Sequence, residues 1–253
     1  MKSKILLSVL LTLLIAINGL SQSSTIRFKH LTYSDGLSNS NVYTFVQDKN
    51  GFMWIGTEGG LFRYDGIRFK MYKNSHNDSS SLNSNVVFSL LVDSEENMWV
   101  GTYKGINIYN ASSDNFIDLR LSNLYTSDFA TTVNDIIEIP DYGVLLASSI
   151  GVILIDPITL EINHAFNNQL NSALGAQTIV TYYYNNDILW IGTEQGLFRY
   201  DLQQKKVRHY NLIDYNDITE SNIIVKIFED KTGDLWVATR GGGIFRLDSD
   251  TEK

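Results

Sequence analysis

A β-propeller of four-stranded blades is the fold class the sequence predicts, and three observations predict it: a repeat of fixed period, strand-type alternation within each repeat, and turn residues at constant offsets. The clearest copies are Trp54-Ile55-Gly56-Thr57, Trp99-Val100-Gly101-Thr102, Trp190-Ile191-Gly192-Thr193 and Trp236-Val237-Ala238-Thr239, with a degenerate copy at Leu145-Leu146-Ala147-Ser148. Their first positions, 54, 99, 145, 190 and 236, lie 45 or 46 residues apart. Helical repeats of similar length would place apolar residues three and four apart. The sequence shows no such spacing after residue 21.

The first repeat sets the strand order. Val42 to Gln47 is expected as the innermost strand, Phe52 to Thr57 as the second, Gly60 to Asp65 as the third and Arg68 to Tyr72 as the outermost. Asp48-Lys49-Asn50-Gly51 and Asp230-Lys231-Thr232-Gly233 read as turns between the first two strands, because Asn and Gly accept positive φ at little cost. Gly59, Gly105, Gly151 and Gly196 recur between the second and third strands and fit a tight turn that a β-carbon would strain. Repeats are placed near 41–72, 85–117, 132–156, 178–210 and 222–248, within a propeller domain spanning 22–253.

The tryptophans Trp54, Trp99, Trp190 and Trp236 hold one register in four of the five repeats. Packing between stacked sheets, which lie about 10 Å apart, explains them best. A carbohydrate-stacking platform would need the rings exposed on one surface.

Composition limits the partners. A net charge of -8 argues against nucleic acid and anionic membrane surfaces, because phosphate binding needs clustered Lys and Arg and no basic run exceeds Lys205-Lys206. The absence of cysteine removes disulfides, thiolate nucleophiles and zinc-thiolate sites. At the N-terminus, Lys2 and Lys4 precede an apolar run from Ile5 to Ile17 and the small residues of Gly19-Leu20-Ser21. This reads as a signal peptide over 1–21, too short for a comfortable membrane span, with the mature chain beginning near Gln22 outside the cytoplasm. No further membrane segment follows it in the sequence.

One longer string carries a family resemblance: Asp35-Gly36-Leu37-Ser38, Val42, Gln47-Asp48, Gly51-Phe52-Met53-Trp54-Ile55-Gly56-Thr57, Gly60-Leu61-Phe62-Arg63-Tyr64-Asp65-Gly66 and Phe69. It resembles the two-component regulator propeller repeat, typical of the periplasmic sensor region of hybrid two-component sensor histidine kinases. The resemblance implies a sensor module in the periplasm, further blades, an immunoglobulin-like domain, a membrane helix anchoring the complete sensor in the inner membrane, and a cytoplasmic kinase. It also implies an oligosaccharide ligand and, since signalling passes through a kinase, a homodimer of the complete sensor. This segment shows neither a nucleotide-binding glycine loop nor a phosphoacceptor among His30, His76, His164 and His209, so no kinase is expected within it.

Two readings of the blade count follow. The fifth repeat stops after its third strand, and Ile26-Arg27-Phe28-Lys29 is identical to Ile67-Arg68-Phe69-Lys70 of an outermost strand. An N-terminal strand completing the last blade would close a five-bladed ring. The five repeats are otherwise a partial arc of a larger propeller, the reading the resemblance favours.

Loops on a rigid scaffold concentrate binding residues, and the second-to-third-strand turns emerge on one face together with the loops that enter each innermost strand. The positions just after each repeat's Thr vary most in chemistry: Glu58, Tyr103 with Lys104, Ser149, Glu194 with Gln195, and Arg240. Of these, Glu58, Tyr103, Lys104, Glu194, Gln195 and Arg240 are the candidate ligand-binding residues, since polar and aromatic groups can engage sugar hydroxyls and rings. Solvated turn residues are the competing reading.

No catalytic residue, metal ligand or cofactor is expected. Arg63, Arg199 and Arg246 share a third-strand register, each two residues before Asp65, Asp201 or Asp248, and read as structural pairs on the blades. Ala147-Ser148-Ser149-Ile150-Gly151 mimics a nucleophile elbow but falls in the register of a Gly-Thr turn. The Asp48 and Asp230 turns lack the spaced oxygen ligands of a calcium loop and read as caps on backbone amides. Glu58 and Glu194 lie three repeats apart, too far to read as a glycosidase pair. A secreted five-bladed binding scaffold is the principal alternative to the sensor module, and a glycan lyase or hydrolase the lesser one.

Overall fold

The computed structural model describes residues 27–39, 41–119, 121, 131–175, 177–212 and 222–247. The signal segment, Ile26, most of the Asn211–Ser221 loop and Asp248 lie outside them.

Each repeat folds as one antiparallel sheet with its strands in chain order. Blade 1 comprises β1 (Val42–Gln47), β2 (Met53–Thr57), β3 (Gly60–Tyr64) and β4 (Phe69–Tyr72). Blade 2 comprises β5 (Val87–Val92), β6 (Met98–Thr102), β7 (Gly105–Asn110) and β8 (Asn115–Asp118). Blade 3 has β9 (Val133–Ile139), β10 (Gly143–Ser148) and β11 (Gly151–Ile155), followed by helix α1 (His164–Leu174). Blade 4 holds β12 (Ile179–Asn185), β13 (Ile188–Thr193), β14 (Gly196–Asp201) and β15 (Lys206–Tyr210); blade 5 holds β16 (Ile224–Glu229), β17 (Leu235–Thr239) and β18 (Ile244–Leu247). Innermost strands of consecutive blades pack side by side, β1 on β5, β5 on β9, β9 on β12 and β12 on β16. The all-β propeller expectation holds, with the strands of blade 1 placed to within one residue.

Helix α1 corrects the expectation that no helix follows residue 21. It stands where blade 3 would carry a fourth strand, and its inward stripe is Asn167, Leu170, Asn171 and Leu174, half of it polar. That is why an apolar count misses it. The asparagines take over the ladder of the missing strand: Leu154 N donates to Asn167 Oδ1 at 2.8 Å, Val152 N to Asn171 Oδ1 at 2.7 Å, and Asn171 Nδ2 to the Val152 carbonyl at 2.9 Å. The edge of β11 is thereby satisfied without strand pairing. Asn163 caps the helix by accepting from Phe166 N.

Two further expectations change. The glycine equivalent to Gly105, Gly151 and Gly196 is Gly60 rather than Gly59, because Thr57 pairs with Gly60 as Thr102 pairs with Gly105. All four have positive φ, from +111° to +143°, the region that favours glycine. Arg27–Lys29 adopt no strand, Phe28 is almost wholly exposed, and β18 has no fourth strand beside it among the described residues.

The core lies between blades. Trp54 of blade 1 packs with Leu90, Met98 and Val100 of blade 2; Trp99 of blade 2 packs with Val133, Ile136 and Leu146 of blade 3. Trp54 and Trp99 are buried as expected, Trp190 is half-buried against blade 5, and Trp236 is exposed. The Gly of the Trp-x-Gly-Thr motif lets the next blade approach. A Cβ on Gly101 would stand 2.1 Å from Ser89 Oγ and 2.9 Å from Val133 Cγ1 of blade 3. Gly101→Ala is expected to cost about 1–3 kcal/mol by overpacking, measured as a lower urea midpoint at unchanged slope.

Candidate functional site

Five equivalent turns build one face. In each, the Thr or Ser ending the second strand donates its hydroxyl to the carbonyl of the glycine opening the third: Thr57 to Gly60, Thr102 to Gly105, Ser148 to Gly151, Thr193 to Gly196 and Thr239 to Gly243, at 2.6–3.1 Å. The next residue is tied to the start of the innermost strand, Glu58 N to Asn41 O, Tyr103 N to Val86 O, Ser149 N to Thr132 O and Arg240 N to Ile223 O. These bonds give the candidate residues equivalent stations around the arc and leave their side chains in solvent.

Glu58, Tyr103, Lys104, Glu194, Gln195 and Arg240 are all exposed on that face. Glu58 accepts from Asn41 Nδ2 at 2.5 Å. Tyr103 and Lys104 are neighbours on the blade 2 turn. Glu194 and Gln195 sit on the blade 4 turn, where the Gln195 carbonyl meets His209 Nε2 at 3.2 Å. The blade 5 turn is one residue longer, Arg240 to Gly242, and presents Arg240. No hydrogen bond or ion pair joins candidate side chains of different blades among the described residues.

Lys104 has a concavity beside it. It lines a polar cleft of about 370 Å³ with Asn74, His76, Asp78, Asn83 and Asp118. The loop from Asn74 to Asn85 builds the opposite wall and is internally braced. Asn74 Nδ2 donates to the Leu82 carbonyl, Ser75 N to Ser81 Oγ, and Leu82 is fully buried as its anchor. Ser80 donates from both side chain and backbone to Asp78, which holds that carboxyl below the usual carboxylate range.

Innermost strands add residues that sequence reasoning missed. Pairing slips by one residue near the start of each: between Val42 and Thr44, Val87 and Ser89, Ile179 and Thr181, Ile224 and Lys226, and opposite Ala147/Ser148 in blade 3. The bulged positions are Tyr43, Phe88, Asn134, Val180 and Val225, at the strand ends nearest the five turns. Bulges re-aim side chains and concentrate near functional sites. Tyr43 and Phe88 form a ring pair with centroids 5.1 Å apart, Tyr43 half exposed. A bulge is set by how two strands pair, so no local sequence signal marks it. One strand position further in, Asp135 accepts from Thr181 Oγ1 at 2.7 Å and Tyr182 N at 3.2 Å, with Lys226 Nζ 3.9 Å away.

Other apparent sites resolve into braces. Asp48, Asp93 and Asp230 each accept from the indole Nε1 six residues on, Trp54, Trp99 and Trp236, at 2.7–2.8 Å, while capping turn amides with the second oxygen. Amide capping was expected of Asp48 and Asp230; the grip on the indole was not. Arg63 is structural, but with a different partner from its neighbour Asp65, and the expected pairing of Arg246 with Asp248 lies outside the described residues. Arg63 donates to Tyr109 OH and lies 3.6 Å from Asp114 of blade 2, and Arg246 is bonded to Asp234. Asp65 instead caps the amides of Ile67 and Arg68. Burial raises the Asp114 carboxyl, but the Lys70 ammonium and the Tyr109 and Tyr72 hydroxyls outweigh it and hold Asp114 far below its ordinary value. Burial and Asp114 push the Tyr72 hydroxyl up.

The family described as Two component regulator propeller matches residues 36–59, 81–104 and 218–241. A protein named Histidine kinase P4, from Formosa agariphila, is 45% identical over 75 residues, which cover 30% of this chain and 6% of that protein. The extracellular domain assigned to a hybrid two-component system of B. thetaiotaomicron superposes with a TM-score of 0.75 at 26% identity, covering 89% of this chain and 31% of that one. PorZ, a surface component of the type-IX secretion system of Porphyromonas gingivalis, shares the fold at a TM-score of 0.57 and 18% identity, over 84% of this chain and 33% of its own. The chain thus spans about a third of the solved proteins it resembles and a far smaller share of the curated relative. Among the described residues no helix is long and apolar enough to cross a membrane.

Proposed function

Since the chain carries two-component regulator propeller repeats, we propose that it is the ligand-sensing region of a hybrid two-component sensor, held in the periplasm, and that the ligand is an oligosaccharide. The ligand lies over the face of the five second-to-third-strand turns. The carrying observation is the coincidence on that face of exposed polar candidates, the cleft beside Lys104 and the Tyr43–Phe88 pair near the strand ends. Aromatic rings can stack on the apolar faces of sugars, while Lys104, Arg240 and Glu58 supply the donors and acceptors that sugar hydroxyls require. The role is binding rather than bond-breaking. Occupancy acts by favouring one arrangement of sensor domains over another, which requires only a difference in affinity between the two.

Calorimetric titration with a panel of oligosaccharides tests this reading. A hit is expected to weaken at least ~10-fold when Tyr103, Lys104 and Arg240 are all replaced by alanine, with the melting temperature of the free protein unchanged. Undiminished affinity in the triple variant would remove this face as the site.

A further inference from the structure

At the strand ends opposite the five turns, the seams between blades are closed in different ways. Between blades 2 and 3, Ser94 donates to the Glu138 carboxylate from its amide at 2.8 Å and its hydroxyl at 2.5 Å, and Asn97 Nδ2 donates to the Pro157 carbonyl at 3.3 Å. Between blades 4 and 5, Asn185 Nδ2 donates to both carboxylate oxygens of Glu229, at 2.9 and 3.1 Å. Glu138 and Glu229 share one register of the innermost strand, opposite the residue that precedes Leu145 or Trp236. Blade 2 has Val92 at that register, which offers no acceptor. Blade 1 likewise has Phe52 two residues before its Trp, where blade 2 has Asn97. Neither of the bonds that close the seam between blades 2 and 3 therefore has its side chain at the seam between blades 1 and 2.

A cavity of about 210 Å³ stands at that seam instead. Val92, Trp54 and Tyr109 line its apolar floor, the two rings with centroids 4.7 Å apart. Its rim sets three carboxylates, Asp48, Glu95 and Glu96, against one ammonium, Lys49. Asp48 is committed to the Trp54 indole and the turn amides, and Lys49 pairs with Glu96 across the seam. Both members of that pair are about half exposed, so it holds the rim closed only weakly. Glu95 makes no hydrogen bond or ion pair among the described residues. We propose that this cavity binds a small organic cation, one ring carrying a short ammonium tail. A cavity of about 150 Å³ suffices for a benzene ring, so this one has room for the ring and the tail. The ring leaves water for the apolar floor, and the ammonium stays at the rim beside Glu95. Trp54 and Tyr109 favour a cation over an anion through the negative faces of their rings. Arg63, whose guanidinium lies over the Trp54 ring, does not line the cavity and faces Asp114 at 3.6 Å. The site lies at the far end of the strands from the proposed oligosaccharide face and does not depend on that reading.

Calorimetric titration with 2-phenylethylamine, against 2-phenylethanol and phenylacetate as uncharged and anionic analogues, tests the proposal at about 0.15 M salt, where distant surface charges are screened. The amine is expected to bind at least ~10-fold more tightly than the alcohol, and phenylacetate more weakly than either. Two variants place the site: Glu95→Gln with Glu96→Gln removes charge from the rim, and Ala111→Phe puts a ring into the cavity that Ala111 lines. All three positions are exposed, so both variants are expected to keep the parent's circular dichroism and melting temperature. Each is expected to weaken amine binding at least ~10-fold. The triple alanine variant at Tyr103, Lys104 and Arg240 is expected to bind the amine as the parent does. A parent that binds the amine no better than the alcohol, or a rim or Ala111 variant that binds it as the parent does, would overturn the proposal. So would loss of amine binding in the triple variant, which would move the amine to the other face.

Discussion

Trp99→Ala is expected to destabilise the protein by about 3–5 kcal/mol, whereas Trp236→Ala at the same repeat register costs about 1 kcal/mol. The sequence gives the two residues identical settings, Trp followed by Val and then a small residue and Thr, with an Asp six positions earlier. Both indoles donate to that Asp, at 2.7 and 2.8 Å. The difference lies in what covers them. Trp99 is 0% exposed among Val133, Ile136, Leu146 and Ile153 of blade 3, so truncation opens a cavity that the neighbouring sheets cannot collapse to fill. It also takes one partner from Asp93, itself 4% exposed, although Asn97 Nδ2 still donates to that oxygen at 3.0 Å. Trp236 is 39% exposed and loses less contact. Urea unfolding followed by far-ultraviolet circular dichroism reads both, and equal losses at the two positions would contradict the account of blade-to-blade burial.

Replacing Asn167 and Asn171 together by leucine is expected to cost about 3 kcal/mol or more, although both changes add apolar surface to a helix face that packs on the core. Each asparagine satisfies the backbone of β11, and the double change leaves the amides of Val152 and Leu154 and the Val152 carbonyl without partners in a buried edge. An unsatisfied buried group costs about 1–3 kcal/mol, more than the added methyl groups return. Asn168→Leu, one position along on the exposed face of α1, is expected to be nearly neutral. Amide exchange resolves the cause: protection at Val152 and Leu154 should fall selectively in the double variant. Retained protection there would show that α1 does not complete the sheet edge.

The sequence was most legible where structure is local and repeated. The period, the strand order of blade 1 and the burial of Trp54 and Trp99 follow from alternation and turn chemistry, and a fivefold repeat corroborates each reading with the others. It was misleading where a residue's role depends on a distant partner. Arg63 sits two residues from Asp65 yet pairs across the blade boundary with Asp114, because side chains two apart on a strand share a face but reach most readily across to the neighbouring sheet. The candidate site was half legible. The turns carrying Glu58, Tyr103, Lys104, Glu194, Gln195 and Arg240 could be placed on one face, while the cleft beside Lys104 required knowing how the loop from Asn74 folds over.

What the sequence determined by itself is the blade, since hydrophobic alternation, the Thr-to-Gly turn and the Asp-to-Trp brace all act within about 20 residues of chain. What only tertiary structure decided is everything that one blade does to the next. The meeting of Tyr43 with Phe88 and the exposure of Trp236 against the burial of Trp99 arise from contacts between sheets some 45 residues apart in the chain, while the bulges and the helix standing in for a strand are set by pairing within a blade. Burial is a property of the packed neighbour, which is why Trp99, held against blade 3, is buried in a way that its own repeat cannot dictate.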